Sequence, residues 1–131
     1  MTTPAQRFLE TWHVCIDEKR LDLLDGLIAE DTVLKSPIFW SPKPGKPLMI
    51  TVLSTVIEIF EDFTYTGEWL KSHELILEFD CRIGDKRLKG IDRITLDDEG
   101  RITELEVLVR PLNGLMVFAG EMRERLKLHT L

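Results

Sequence analysis

A chain of 131 residues with a formal net charge of -6 is long enough for one domain with a sizeable core, and too acidic to favour nucleic acid or an anionic membrane as a partner. Its hydrophobic fraction of 44% and charged fraction of 31% are those of an ordinary soluble protein, and no apolar run approaches the ~20 residues of a membrane span. The start lacks the basic-then-apolar pattern of a secretory leader, so a cytoplasmic protein is expected, with residues 1–131 forming one domain.

Thr3-Pro4 predicts a helix start, a hydroxyl cap followed by proline at the first helical position. Phe8, Trp12, Cys15 and Ile16 follow at helical spacing and form its buried stripe. Trp12 carries an N–H that requires an acceptor once buried. His13 flanks the stripe and reads as a packed or half-exposed residue rather than a catalyst. Cys15 and Cys81, far apart and without a Cys-x-x-Cys pattern or a nearby His, read as core thiols. A second short helix is expected with Leu21, Leu24, Leu27 and Ile28 inward, ended by Glu30-Asp31. Thr32 to Lys35 then reads as a short extended piece, and Ser36-Pro37 forces a turn. Pro37, Pro42, Pro44 and Pro47 stiffen a segment carrying Phe39-Trp40, which is expected to be a lid or rim over a cavity, or a dimer contact. A third helix is predicted from about Pro47 to Glu61, with Leu53, Val56, Ile57 and Phe60 inward.

The strands follow. Thr64 to Lys71 is expected to be the first of a meander. Leu75, Leu77, Phe79, Cys81 and Ile83 mark the inward face of the next. A Gly84-Asp85 turn with Ile83 opposite Lys86 brings Leu77 opposite Asp92 and Phe79 opposite Gly90, where the glycine leaves room for the ring. After the turn Asp98-Glu99-Gly100, pairing Asp97 with Ile102 sets Ile94 against Leu105, Asp92 against Val107 and Arg93 against Glu106. Asp92 is then the only ionisable group on the apolar face of the hairpin. With Lys71 opposite Glu74, period two places Tyr65 and Trp69 on the outer face with Ile76, Ile91 and Leu108. Charges of both signs surround that patch: Glu78, Asp80, Arg82, Lys89, Arg93, Glu104, Glu106 and Arg110. A homodimer through this face is expected. A last helix from about Asn113 to Lys127 is predicted with Met116, Ala119, Met122 and Leu126 inward, then a frayed tail to Leu131.

Three helices, about four antiparallel strands and a C-terminal helix make an α+β layered fold with helices over one face of a curved sheet. This order, with AEDTVLKSPIFW after the second helix, GIDRITLDDEGRI on the hairpin and VLVRPLNGLMVFAGEM at the end, resembles the nuclear-transport-factor-2-like superfamily, and most of all its SnoaL-like polyketide-cyclase branch. The resemblance covers nearly the whole chain. It implies a cone-like curved antiparallel sheet of four to six strands, with the helices enclosing a pocket, and a fold that often pairs through its sheets. It does not single out an activity, because the fold hosts isomerases, cyclases, dehydratases, epoxide hydrolases and non-enzymes.

The related ketosteroid isomerases use an Asp base just before a proline, with a helix-one Tyr and a protonated strand Asp donating to the oxyanion. The strand Asp corresponds here to Asp92, the Tyr position falls on Trp12, and the base position falls on Ser36, which is no general base by itself. One expectation is an isomerase, cyclase or dehydratase acting on a small apolar carbonyl compound. In that reading Asp92 is the acid, Trp12 and Ser36 are hydrogen-bonding partners, and Phe39, Trp40, Leu77 and Val107 are walls. The alternatives are a non-catalytic binder of a small hydrophobic ligand, and a dimeric structural or partner-binding domain whose cavity is incidental. The sequence has no metal-ligand spacing, phosphate loop or nucleophile elbow, so no cofactor is expected.

Overall fold

The computed structural model describes residues 2–127; the tail expected to fray lies outside them. Helix α1 (Pro4–Asp17) begins with the capping arrangement its sequence predicts. Thr3 Oγ1 accepts from the Gln6 N–H at 3.2 Å, and Gln6 Oε1 accepts from the Thr3 N–H at 2.8 Å. Phe8, Trp12 and Cys15 are buried, and Phe8 stacks on Trp12 with ring centroids 5.3 Å apart.

The expected second helix is replaced by two 3₁₀ turns, Leu21–Leu23 and Asp25–Leu27. Asp22, Asp25 and Gly26 are poor helix formers, and a segment this short cannot offset the cost of nucleating an α-helix. Strand β1 (Ile28–Lys35) starts at once, so Glu30 and Asp31 lie inside a strand instead of ending a helix. The two-residue β2 (Lys43–Pro44) precedes α2 (Lys46–Ile59). Four long strands follow: β3 (Glu61–Lys71), β4 (Glu74–Ile83), β5 (Lys86–Leu96) and β6 (Ile102–Arg110). Helix α3 (Leu112–Leu126) closes the order. Within α3, Phe118 and Met122 point to the core, whereas Met116, expected inward, is 65% exposed. The buried stripe shares Met122 with the expected one but runs through Gly114 and Phe118 instead of Met116 and Ala119.

The sheet is six-stranded and curved, in the order β2-β1-β6-β5-β4-β3. β3 to β6 form the expected antiparallel meander, and β1 adds to β6 in parallel. The β4–β5 register is the one the turn and alternation predict: Ile83 beside Lys86, Phe79 beside Gly90, Leu77 beside Asp92. β5–β6 pairs Ile94 with Leu105, Asp92 with Val107 and Arg93 with Glu106 as expected. A register shift after Thr95 sets Ile102 beside Leu96, however, not beside Asp97. Asp97 is used by the turn, where Oδ1 accepts from the N–H groups of Glu99 and Arg101, each at 2.9 Å.

The larger correction is in β3. Tyr65 pairs with Phe79, but Gly67 pairs with Glu78, so the register slips by one between them. This β-bulge reverses the alternation and turns Tyr65 to the inner face, away from Trp69. Among the described residues no helix is long and apolar enough to cross a membrane.

Gly90 shows how tightly the inner face is packed. A Cβ there would lie 2.4 Å from Phe79 Cζ and 2.6 Å from the Leu108 carbonyl oxygen, the second of which is backbone and cannot yield cheaply. Gly90→Ala is expected to cost about 3 kcal/mol of stability by overpacking, measured as a shift of the urea midpoint. An unchanged midpoint would show that Phe79 can move aside.

Candidate functional site

Helices and sheet leave a cavity of about 500 Å³, a volume suited to a small organic molecule. One end is aromatic. Phe60, Phe63, Phe79 and Phe118 line it, with Phe63 stacked on Phe79 at 5.0 Å and Phe60 tilted on Phe118 at 5.0 Å. Val56 and Ile57 of α2 keep part of their surface because they face this space, while Leu53 above them is buried. Four polar groups line the cavity wall inside: Trp12, Ser36, Tyr65 and Asp92. Exposed side chains mark the opening, namely Asp17, Lys19, Glu58, Glu61 and Asp62, with half-buried Arg82 beside them. Arg82 is tied down there: Nε donates to Asp62 at 2.6 Å, and Nη1 donates to Glu61 at 2.8 Å.

Asp92 is central. β5 aims it inward between Leu77 on one neighbour and Val107 on the other, while Gly90 and Ile94 share its face. It keeps some surface because one side fronts the cavity, but protein encloses its carboxyl so fully that burial pushes its pKa from 3.8 up to about 7. No side chain or backbone group among the described residues donates a hydrogen bond to it, and no cation pairs with it.

Tyr65 was not legible as a site residue, and the β3 bulge is the reason. Its hydroxyl accepts the Trp12 Nε1–H at 2.6 Å. Burial first, and the Asp92 charge second, hold its pKa well above 10.0. The phenol therefore stays neutral, and with one lone pair taken by Trp12 its proton is free to point elsewhere. A signal did exist: Gly67 in a strand interior marks a bulge, and a buried Trp12 needed an acceptor.

The other expected site residues divide. Trp12, Ser36, Asp92 and Val107 line the cavity. Trp12 does so with its N–H already committed to Tyr65, so it holds that hydroxyl in place and offers the cavity no donor of its own. Leu77 is fully buried behind the wall. Phe39 and Trp40 do not line the cavity; Ser36, Pro37 and Ile38 form that edge. The turn at Pro37, fixed by the Ile38 N–H donating to Ser36 Oγ at 3.0 Å, sends Ile38 inward. The next residues run outward, leaving the Phe39 ring under the Lys43 ammonium and Trp40 97% exposed. His13 is half-exposed and paired with Glu68 at 2.5 Å. Among the described residues no group of three His, Cys, Asp or Glu is placed to hold a metal ion.

No protein-family model matches the sequence, and no curated protein matches it. Solved structures do. A steroid delta-isomerase from Pseudomonas aeruginosa is 39% identical, with a TM-score of 0.92 over 97% of this chain and 94% of that one. An uncharacterized bacterial protein with a cystatin-like fold, from Silicibacter pomeroyi, is 25% identical, with a TM-score of 0.86 over 93% of this chain and 86% of the other. A nuclear-transport-factor-2-like protein of unknown function from Mesorhizobium loti shares the fold at 15% identity, with a TM-score of 0.73 over 82% and 92%. With one relative this similar over nearly its full length, the chain belongs to the nuclear-transport-factor-2-like superfamily.

Proposed function

We propose that the cavity takes up a small apolar carbonyl compound and that Asp92, protonated, promotes its isomerisation, cyclisation or dehydration. The observation that carries this reading is a carboxyl with no protein partner, held on an apolar cavity wall with its pKa raised to about 7. A neutral carboxylic acid donates to an oxygen that gains negative charge, and a water-poor wall strengthens that bond. Tyr65 supplies a second neutral donor on the same cavity, from β3, with β4 between it and the strand of Asp92. The steroid delta-isomerase likeness supports the same reaction class.

In an enolisation the carbon beside the carbonyl loses a proton, the electron pair moves onto the carbonyl oxygen, and the proton returns at another carbon. Asp92 and Tyr65 hold the oxygen. Ser36, at the position where the isomerases carry their base, does not take the proton. Of the carboxylates at the opening, Glu61 and Asp62 are bound to Arg82, which leaves Asp17 and Glu58 as acceptors.

A second reading, a non-catalytic binder, is favoured by Ser36 alone. One experiment separates the two. Isomerisation of a β,γ-unsaturated cyclic ketone is followed by the absorbance of the conjugated product, and binding by tryptophan emission. Catalysis predicts turnover that falls about 100-fold or more in Asp92→Asn and about 10-fold or more in Tyr65→Phe, with binding nearly kept. Binding without turnover in the wild type would establish the binder, and binding by neither route would end both readings.

A further inference from the structure

A second cavity, of about 290 Å³, opens on the outer face of the sheet where β6 runs into α3. Three cations line it, Arg87 and Lys89 of β5 and Arg110 of β6, with Asp80 and Pro111 beside them. Lys89 lies directly opposite Arg110, and Arg87 directly opposite Arg82 of β4. Arg87 and Lys89 are two residues apart on one strand, about 7 Å, so all three side chains reach a common point. Helix α3 packs straight onto this backbone: a Cβ added at Gly114 would come within 3.1 Å of the Arg87 carbonyl oxygen.

Like charges set directly opposite each other across strands cost stability. Here two such pairs stand side by side, and only one member of each is compensated. Arg82 is bound to Glu61 and Asp62, and Lys89 to Asp80 at 2.8 Å and Glu78 at 3.4 Å, whereas Arg87 and Arg110 have no ion pair or side-chain hydrogen bond among the described residues. Acidic residues outnumber lysines and arginines 23 to 17 in this chain, so a shortage of acids does not explain two free arginines around one cavity. Each guanidinium offers a planar fork of donors that matches the oxygens of a phosphate group. The place is also distinct from the apolar part of the outer face. Trp69 is level with Ile76 and Arg93, and Lys89 lies four residues further along β5, about 13 Å away.

We infer that Arg87, Lys89 and Arg110 form a binding site for a phosphate dianion, free or as the terminal monoester of a small molecule. Arg87 and Arg110 hold the phosphate oxygens from two strands. Lys89, between them and already tied to Asp80, adds positive charge without being displaced. The bound dianion removes the repulsion that the two like-charge pairs otherwise sustain. The site is separate from the Asp92 cavity, and neither depends on the other.

The test is calorimetric titration with inorganic phosphate and with phenyl phosphate, at low ionic strength and pH 8, where both are mainly dianions. Wild type is compared with Arg87→Gln, Arg110→Gln and Arg123→Gln, the last an exposed arginine near the far end of α3 whose loss changes the net charge equally. Wild type is expected to saturate at one site per chain. Arg87→Gln and Arg110→Gln should each weaken it about 10-fold or more, the worth of a charge-assisted hydrogen bond, and Arg123→Gln less than about 2-fold. In phosphate-free buffer Arg110→Gln should melt no lower than wild type, since it removes a like-charge contact, which also shows that the variant is folded. A tighter phenyl phosphate assigns the monoester, and a tighter inorganic phosphate the free anion. No saturable binding to the wild type, or an equal loss in all three variants, overturns the site and leaves only diffuse attraction of anions.

Discussion

At pH 8, Asp92→Asn is expected to be more stable than the wild type by up to about 4 kcal/mol, with a melting temperature higher by on the order of 10 °C, although it removes the group on which the proposed chemistry depends. The sign follows from linkage. Unfolded, the carboxyl titrates near its ordinary value of 3.8; folded, burial raises it to about 7. Below 3.8 both states hold the proton and Asp92 costs nothing. Between the two values the native state keeps a proton that the unfolded chain releases, so stability falls as pH rises, by about 1.4 kcal/mol per pH unit. Above 7 the native state must hold a desolvated carboxylate, and the full cost persists. Asn has the same shape and no charge, so its stability carries none of this slope. The two proteins should melt together near pH 4 and diverge toward pH 8. Parallel pH profiles would show that Asp92 is solvated or paired, and the acid role would go with it. A fold that carries such a charge in an apolar cavity sustains a cost that packing does not require, as functional sites commonly do.

The environment of Asp92 was legible because the hairpins around it are regular. Gly84-Asp85 and Asp98-Glu99-Gly100 fix the turns, and alternation does the rest, so Leu77, Gly90, Ile94 and Val107 could be placed about the carboxyl from the sequence alone. What failed did so where period two breaks. The β3 slip between Tyr65 and Gly67 moved a phenol from the outer face into the cavity, and no alternation rule registers an inserted residue. Likewise the shift beyond Thr95 changed the partner of Ile102. The Phe39-Trp40 pair misled for a different reason. An apolar pair beside a cavity looks like its rim, but which side chain turns inward is decided by the Ser36-Pro37 turn, and that turn selects Ile38. The parallel seat of β1 against β6, which carries Ser36 to the cavity edge, depends on a long-range pairing with no local signature.

The other large effect concerns the outer face. With Tyr65 turned inward, four apolar residues remain there: Trp69 beside Ile76, and Ile91 beside Leu108. Trp69 is 55% exposed and Leu108 48% exposed, while the helices occupy the opposite face. Trp69 lies flat on the sheet. Its indole lies over Gly67, where an added Cβ would come within 2.6 Å of the ring, so it presents a flat anchor of the kind that dominates interfaces. The charges around it alternate in sign and pair across the strands, Lys89 with Asp80 at 2.8 Å and Lys35 with Glu104 at 3.1 Å. A face that carries both partners of each pair is complementary to its own copy when rotated by a two-fold axis. We therefore propose a homodimer through this face, with a second copy of the chain as the partner. Micromolar wild type is expected to sediment as a dimer. Trp69→Glu sets an unpaired charge in the apolar centre and should weaken association at least 100-fold, leaving a folded monomer. Arg and Lys stems lying over the patch within one chain would instead leave the wild type monomeric at that concentration. A dimer that survives Trp69→Glu would place the contact on another surface.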